Sequence, residues 1–127
     1  MRLLPAAIAF VIAASAYIPQ AHADDQLVAN ICNYVQADDK NRLRSKLTES
    51  RVKLRNVYTG IQCNGESLLR FAMLSNANDV GSFIAKRLST DDLSIKEADG
   101  KTVLEWAQAN GHGNNEITSA IKERIGG

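Results

Sequence analysis

Asn64-Gly65-Glu66-Ser67-Leu68-Leu69-Arg70-Phe71-Ala72 and Asp99-Gly100-Lys101-Thr102-Val103-Leu104-Glu105-Trp106-Ala107 are two copies of one pattern: a turn residue, then G-x-[ST]-aliphatic-L-x-aromatic-A. The opening dipeptides are turn chemistry. Glycine adopts positive φ without a Cβ clash, and Asn or Asp hydrogen-bonds the nearby backbone. Ser67 and Thr102 stand where a hydroxyl caps the amides of a following helix. Each copy therefore describes a turn feeding a helix, and a repeated unit decides the fold before any single element does.

The flanks extend each unit in the same way. After the first copy, Asn76-Ala77-Asn78-Asp79 breaks the chain, and Val80, Phe83, Ile84 and Leu88 follow at helical spacing. After the second, Asn110-Gly111-His112-Gly113-Asn114 breaks it again before Ile117, Ala120, Ile121 and Ile125. Upstream, Leu27, Val28, Ile31, Tyr34 and Val35 share one helical face, and Asp38-Asp39 is placed to cap a second helix carrying Leu43 and Leu47. The expected fold is all-α, a short stack of about three antiparallel helix pairs joined by turns or fingers. Leu69 and Leu104 are expected as equivalent core positions, and Phe71 and Trp106 as core between units. Residues 51–55 alternate basic with apolar, which fits an extended finger better than a continuing helix through Leu54 and Tyr58.

The second copy together with Asn110-Gly111-His112 resembles the ankyrin repeat, a β-turn followed by two antiparallel helices, and the first copy is similar. The resemblance covers residues 64–127 and implies a stack of such units. It departs at the ankyrin proline, which is Leu68 and Val103 here, at the ankyrin histidine, which is Arg70 and Glu105, and at 113–115, which reads as a short insertion.

Outside the repeats, the N-terminus predicts a compartment. Met1-Arg2, an apolar run through Ile18, Pro19-Gln20 and Ala21-His22-Ala23 form the tripartite pattern of a secretory signal, so residues 1–23 are expected to be removed and 24–127 to form a single domain. The apolar run is too short for a membrane span. An exported chain with an even cysteine count is expected to oxidise, pairing Cys32 with Cys63 in one disulfide.

Composition is that of a globular chain: 45% hydrophobic, 23% charged and a formal charge of +1, which excludes a strongly polyanionic or polycationic character overall. That balance hides a partition, because residues 40–55 hold Lys40, Arg42, Arg44, Lys46, Arg51, Lys53 and Arg55 against the single acid Glu49. These seven bases are the candidate binding residues, suited to an acidic protein surface or anionic headgroups, with the bases at 51, 53 and 55 projecting from one side and Val52 and Leu54 turned inward. Nucleic acid is not expected, since few aromatics interleave with the bases. No catalytic residue is expected: His112 is the one conventional base after residue 23, no nucleophile elbow or phosphate loop occurs, and the acid pairs at 24–25, 38–39 and 91–92 sit where carboxylates oppose helix dipoles. His112 is read as structural, and with no cluster of His and free Cys no metal or cofactor is expected.

Ile31-Cys32-Asn33-Tyr34, the basic segment, Cys63-Asn64-Gly65 and Leu69-Arg70-Phe71-Ala72 together resemble a family of small exported bacterial proteins, domain of unknown function 3718. That resemblance implies an envelope location and supplies no activity. The resulting expectation is a periplasmic, non-enzymatic module that binds a protein partner bearing an acidic surface. The alternatives are an envelope-surface binder of anionic headgroups through residues 40–55, or a small hydrolase joining His112 to a hydroxyl or carboxylate.

Overall fold

The computed structural model describes residues 25–126, so the expected signal segment 1–23 lies outside the described residues. Helix α1 (Asp25–Gln36) buries Leu27, Ile31 and Val35 along one stripe, the spacing its sequence predicts. Asp38, at φ 56°, turns the chain, and Asp39 caps α2 (Lys40–Ser50) by accepting from the Arg42 amide at 3.1 Å. Leu43 and Leu47 of α2 face inward.

Residues 51–55 depart from the expected extended finger. Arg51 is left-handed and closes α2, its N–H reaching the Leu47 and Thr48 carbonyls, and Val52 N–H also returns to Leu47. This is a Schellman ending with arginine at the position glycine usually fills. Lys53, just before α3 (Leu54–Val57), is extended, and a 3₁₀ turn at Tyr58–Gly60 follows. Leu54 is drawn into the core, and burying it, Val57 and Tyr58 on one side favours a helical turn over a strand. The expected alternation of burial nevertheless holds: Arg51, Lys53 and Arg55 are exposed, Val52 is half-buried and Leu54 is buried.

The first quoted stretch opens as a hairpin. Strands β1 (Gln62–Cys63) and β2 (Glu66–Ser67) pair antiparallel, Gln62 with Ser67 and Cys63 with Glu66, around Asn64-Gly65 at φ 55° and 81°. Two consecutive positive φ angles are what the tight hairpin turn requires, and Asn-Gly supplies them with least strain. Helices α4 (Leu68–Leu74), α5 (Asn78–Arg87) and the short α6 (Thr90–Leu93) follow, then α7 (Val103–Ala109) and α8 (Glu116–Gly126).

Each short turn sends the chain back on itself, so α1 packs on α2, α4 on α5 and α7 on α8. The pairs then stack in chain order, α1 against α4 and α4 against α7 in one layer, α2 against α5 and α5 against α8 in the other. The all-α expectation of three helix pairs is met, with one two-stranded hairpin added. Gly81 sets the spacing of the last two pairs, because a Cβ there would lie 2.6 Å from Ile117 Cγ1. Asp38 joins the first two: its carboxylate accepts from the Val80 amide at 2.8 Å, capping an α5 whose own N-cap residue, Ala77, has no capping side chain. The Cys32–Cys63 disulfide is formed and ties α1 to β1.

Two further expectations change. Thr102 caps α7 reciprocally with Glu105, as expected, but the Ser67 hydroxyl makes no capping bond and donates to Glu97 at 3.1 Å instead. Leu69 is fully buried whereas Leu104 is only half-buried, since no further unit covers α7 among the described residues. No helix among the described residues is long and apolar enough to cross a membrane.

Candidate binding groove

A groove of about 630 Å³ runs beside the C-terminal half of α2, the 51–55 segment and α5. Its floor is Leu47, Val52, Leu54 and Phe83, and its rim carries Arg44, Arg51, Lys53, Arg55 and Arg87, with no carboxylate in the lining. Four of the seven expected bases therefore come together. The other three lie outside the lining: Lys40 is exposed at the start of α2, Arg42 pairs with Asp39 at 3.4 Å, and Lys46 pairs with Glu49 at 3.1 Å. Glu49 beside Lys46 raises the pKa of that ammonium, keeping it charged and engaged.

The fold places these groups simply. Leu47 and Val52 are the apolar residues of the Schellman ending, whose contact turns the chain sharply after α2 and aims Arg51 away from the core. Arg44 lies one turn earlier on α2, and its guanidinium donates to Asn41 at 3.4 Å. Arg87 was not among the expected residues. It stacks its guanidinium over the Phe83 ring at 4.7 Å, a cation–π contact that holds one charge at the groove wall before any ligand arrives. The Phe83-x-x-x-Arg87 spacing on one helix was the available signal.

Sequence reading also missed the role of Arg70. It is 7% exposed, and its two terminal nitrogens donate to Asp99 at 2.9 and 3.0 Å in a bidentate fork. Its Nε lies 3.1 Å from Glu97 Oε1, one nitrogen also reaches the Lys101 carbonyl at 3.3 Å, and the guanidinium sits 5.1 Å from the Trp106 ring. Arg70 thus bridges the second and third helix pairs by an ion-pair lattice. The Arg70 hydrogen bonds hold the Asp99 carboxyl down at about 2, whereas burial pushes Glu97 upward.

His112 is placed structurally. Its ring stacks on Trp106 at 5.3 Å between centroids, its N–H donates to Ala107, and its carbonyl accepts from the buried Thr118 hydroxyl at 2.7 Å. Among the described residues, no three His, Cys, Asp or Glu side chains converge in a way that would hold a metal ion.

A family model described as a protein of unknown function (DUF3718) matches residues 31–95, a span that contains both cysteines, Arg70 and every base of the groove rim. No curated protein matches the chain, and no solved structure does.

Proposed function

The chain belongs to the DUF3718 family of proteins of unknown function, and from that premise we propose that it is an exported, non-catalytic binding module that takes an acidic segment of a partner protein in its basic groove. One observation carries the reading: five cations and no carboxylate line a groove whose floor is apolar. Charge alone would suit any polyanion. Leu47, Val52, Leu54 and Phe83 between the charges suit a peptide that alternates acids with apolar side chains. A stack of ankyrin-like units is a natural carrier for such a surface, since stacked repeats present a continuous face without needing a catalytic centre. The N-terminal signal pattern and the disulfide support a periplasmic location, where an oxidising environment keeps such a bond closed.

The test uses a fluorescent peptide alternating glutamate and leucine, titrated against the wild type and against the triple reversal Arg51→Glu, Lys53→Glu, Arg55→Glu. Exposed charges act mainly on association rate and salt sensitivity, so wild-type affinity should fall as salt rises and the reversal should weaken it by about tenfold or more at low salt. The melting curve of the reversal should stay close to wild type, since all three side chains are exposed. Binding of phosphatidylglycerol vesicles in place of the peptide would move the reading to an anionic-headgroup binder. Equal peptide binding by both proteins would reduce the basic segment to a solvated face.

A further inference from the structure

A second cavity, of about 400 Å³, opens between the 58–67 hairpin segment and the 92–99 loop. Its charge is opposite to that of the groove. Glu66, Asp92, Glu97 and Asp99 line it against one base, Arg70, and Arg70 is already committed to Asp99 and Glu97. An acidic lining alone would mean little. The independent observation is Tyr58, which is 5% exposed, lines the same cavity, and carries a buried hydroxyl with no hydrogen-bond partner. Burial pushes the phenol's pKa up; the Ser67 hydroxyl and the Leu69 backbone lie close enough to oppose that shift, yet neither meets hydrogen-bond geometry with it. Native structures rarely leave a buried polar group unpaired, and one that persists beside a cavity is a place where a ligand atom completes the bonding.

The chemistry of the walls narrows the ligand. A compact metal ion is disfavoured because no three ligating side chains converge among the described residues. Ile61 and the 40%-exposed Ile95 add an apolar wall. A phenol oxygen accepts a hydrogen bond from a nitrogen cation, carboxylates neutralise it, and the isoleucines cover a methylene chain. We propose that the cavity between the 58–67 segment and the 92–99 loop binds an alkyl cation, an ammonium or guanidinium group on a short aliphatic stem. The source is either a free amine or the side chain of a lysine or arginine on another protein.

The probes are cadaverine and agmatine as free amines, an N-acetylated Ala-Lys-Ala amide as the side-chain source, and 1-pentanol as the neutral control, each titrated by NMR on the full chain. Cadaverine, agmatine or the tripeptide should shift resonances of Tyr58 and Ile95, and the tightest of them identifies the source. Pentanol should not. Tyr58→Phe should weaken cation binding about three- to tenfold, the worth of one hydrogen bond, while leaving the melting temperature unchanged or raised, because the hydroxyl it removes is unpaired in the free protein. Glu66→Gln should weaken binding as well. Binding of pentanol equal to that of cadaverine, unaltered affinity in Tyr58→Phe, a lowered melting temperature in that variant, or no binding by any cation would each overturn the proposal. The triple reversal in the groove should bind cadaverine as the wild type does, so the two sites stand or fall separately.

Discussion

Arg51 holds a backbone conformation that its side chain opposes. At φ 57° and ψ 39° it is left-handed, and the other non-glycine residues with positive φ, Asp38, Asn64 and Asn76, are of the types that tolerate it. Glycine at 51 should stabilise the chain by about 1 kcal/mol by removing the Cβ penalty. Arg51→Gly is therefore expected to raise the melting temperature and to weaken acidic-peptide binding about two- to fivefold, the share of one exposed charge. A variant both less stable and equally tight would separate Arg51 from the groove. Arg70 poses the opposite case, a charge held in place by its partners. Asp99 has a folded pKa of about 2, below its unfolded value, so its contribution is present above about pH 4 and is lost as pH falls through about 2. Glu97 works against it, because burial raises its pKa and its penalty disappears on protonation. In Arg70→Gln the Asp99 carboxyl should return toward the ordinary range by NMR titration, and the loss of stability between about pH 4 and about pH 2 should flatten. At this scale the sequence marked the position of Arg70 as a departure from the ankyrin pattern. It could not name the partner, since Asp99 and Glu97 are brought to it by the fold and not by local spacing.

Among the elements, those whose signal is local were readable and those shaped by distant packing were not. The caps at Asp39 and Thr102 and the Asn64-Gly65 turn follow from residues within a few positions of each other. Helix α3 and the displaced Ser67 hydroxyl do not: Leu54 is drawn into the core, and Ser67 meets an acid 30 residues away. The same distinction explains the unequal burial of Leu69 and Leu104, whose sequence contexts match but whose neighbours differ. The disulfide was readable from the cysteine count and the expected export, and its role is a test of how the first pair is held. It closes a separation of 31 residues between α1 and β1, worth about 3–4 kcal/mol in the loop-entropy account. Reduction under native buffer should lower the melting temperature by more than about 10 °C, read by circular dichroism with and without a dithiol reductant. Recovery of two free thiols from protein isolated under oxidising conditions would remove the bond from the account.

At the scale of the molecule, the three pairs depend on one another through contacts that the C-terminal pair completes. Helix α5 lies between α2 and α8, and Gly81 lets the Ile117 side chain lie against its backbone where a Cβ would force that side chain to move. Arg124 donates to the Leu88 carbonyl at 2.8 Å, tying α8 to the end of α5. Arg70 in α4 depends on Glu97, Asp99 and Trp106, all of which follow residue 88. A chain ending at 88 keeps the disulfide and the entire rim of the basic groove, yet it uncovers the face of α5 and removes the two acids and the indole that hold Arg70. Each large apolar side chain left in water forfeits about 1.5–3 kcal/mol of burial, so a few such losses are comparable to the whole stability of a small domain. The truncated chain should therefore aggregate or melt without a cooperative transition, even though the groove residues are all present. A truncated protein that melts cooperatively near the full-length temperature would mean that the first two pairs are self-sufficient, and that the α5–α8 seam carries little of the energy its close packing implies.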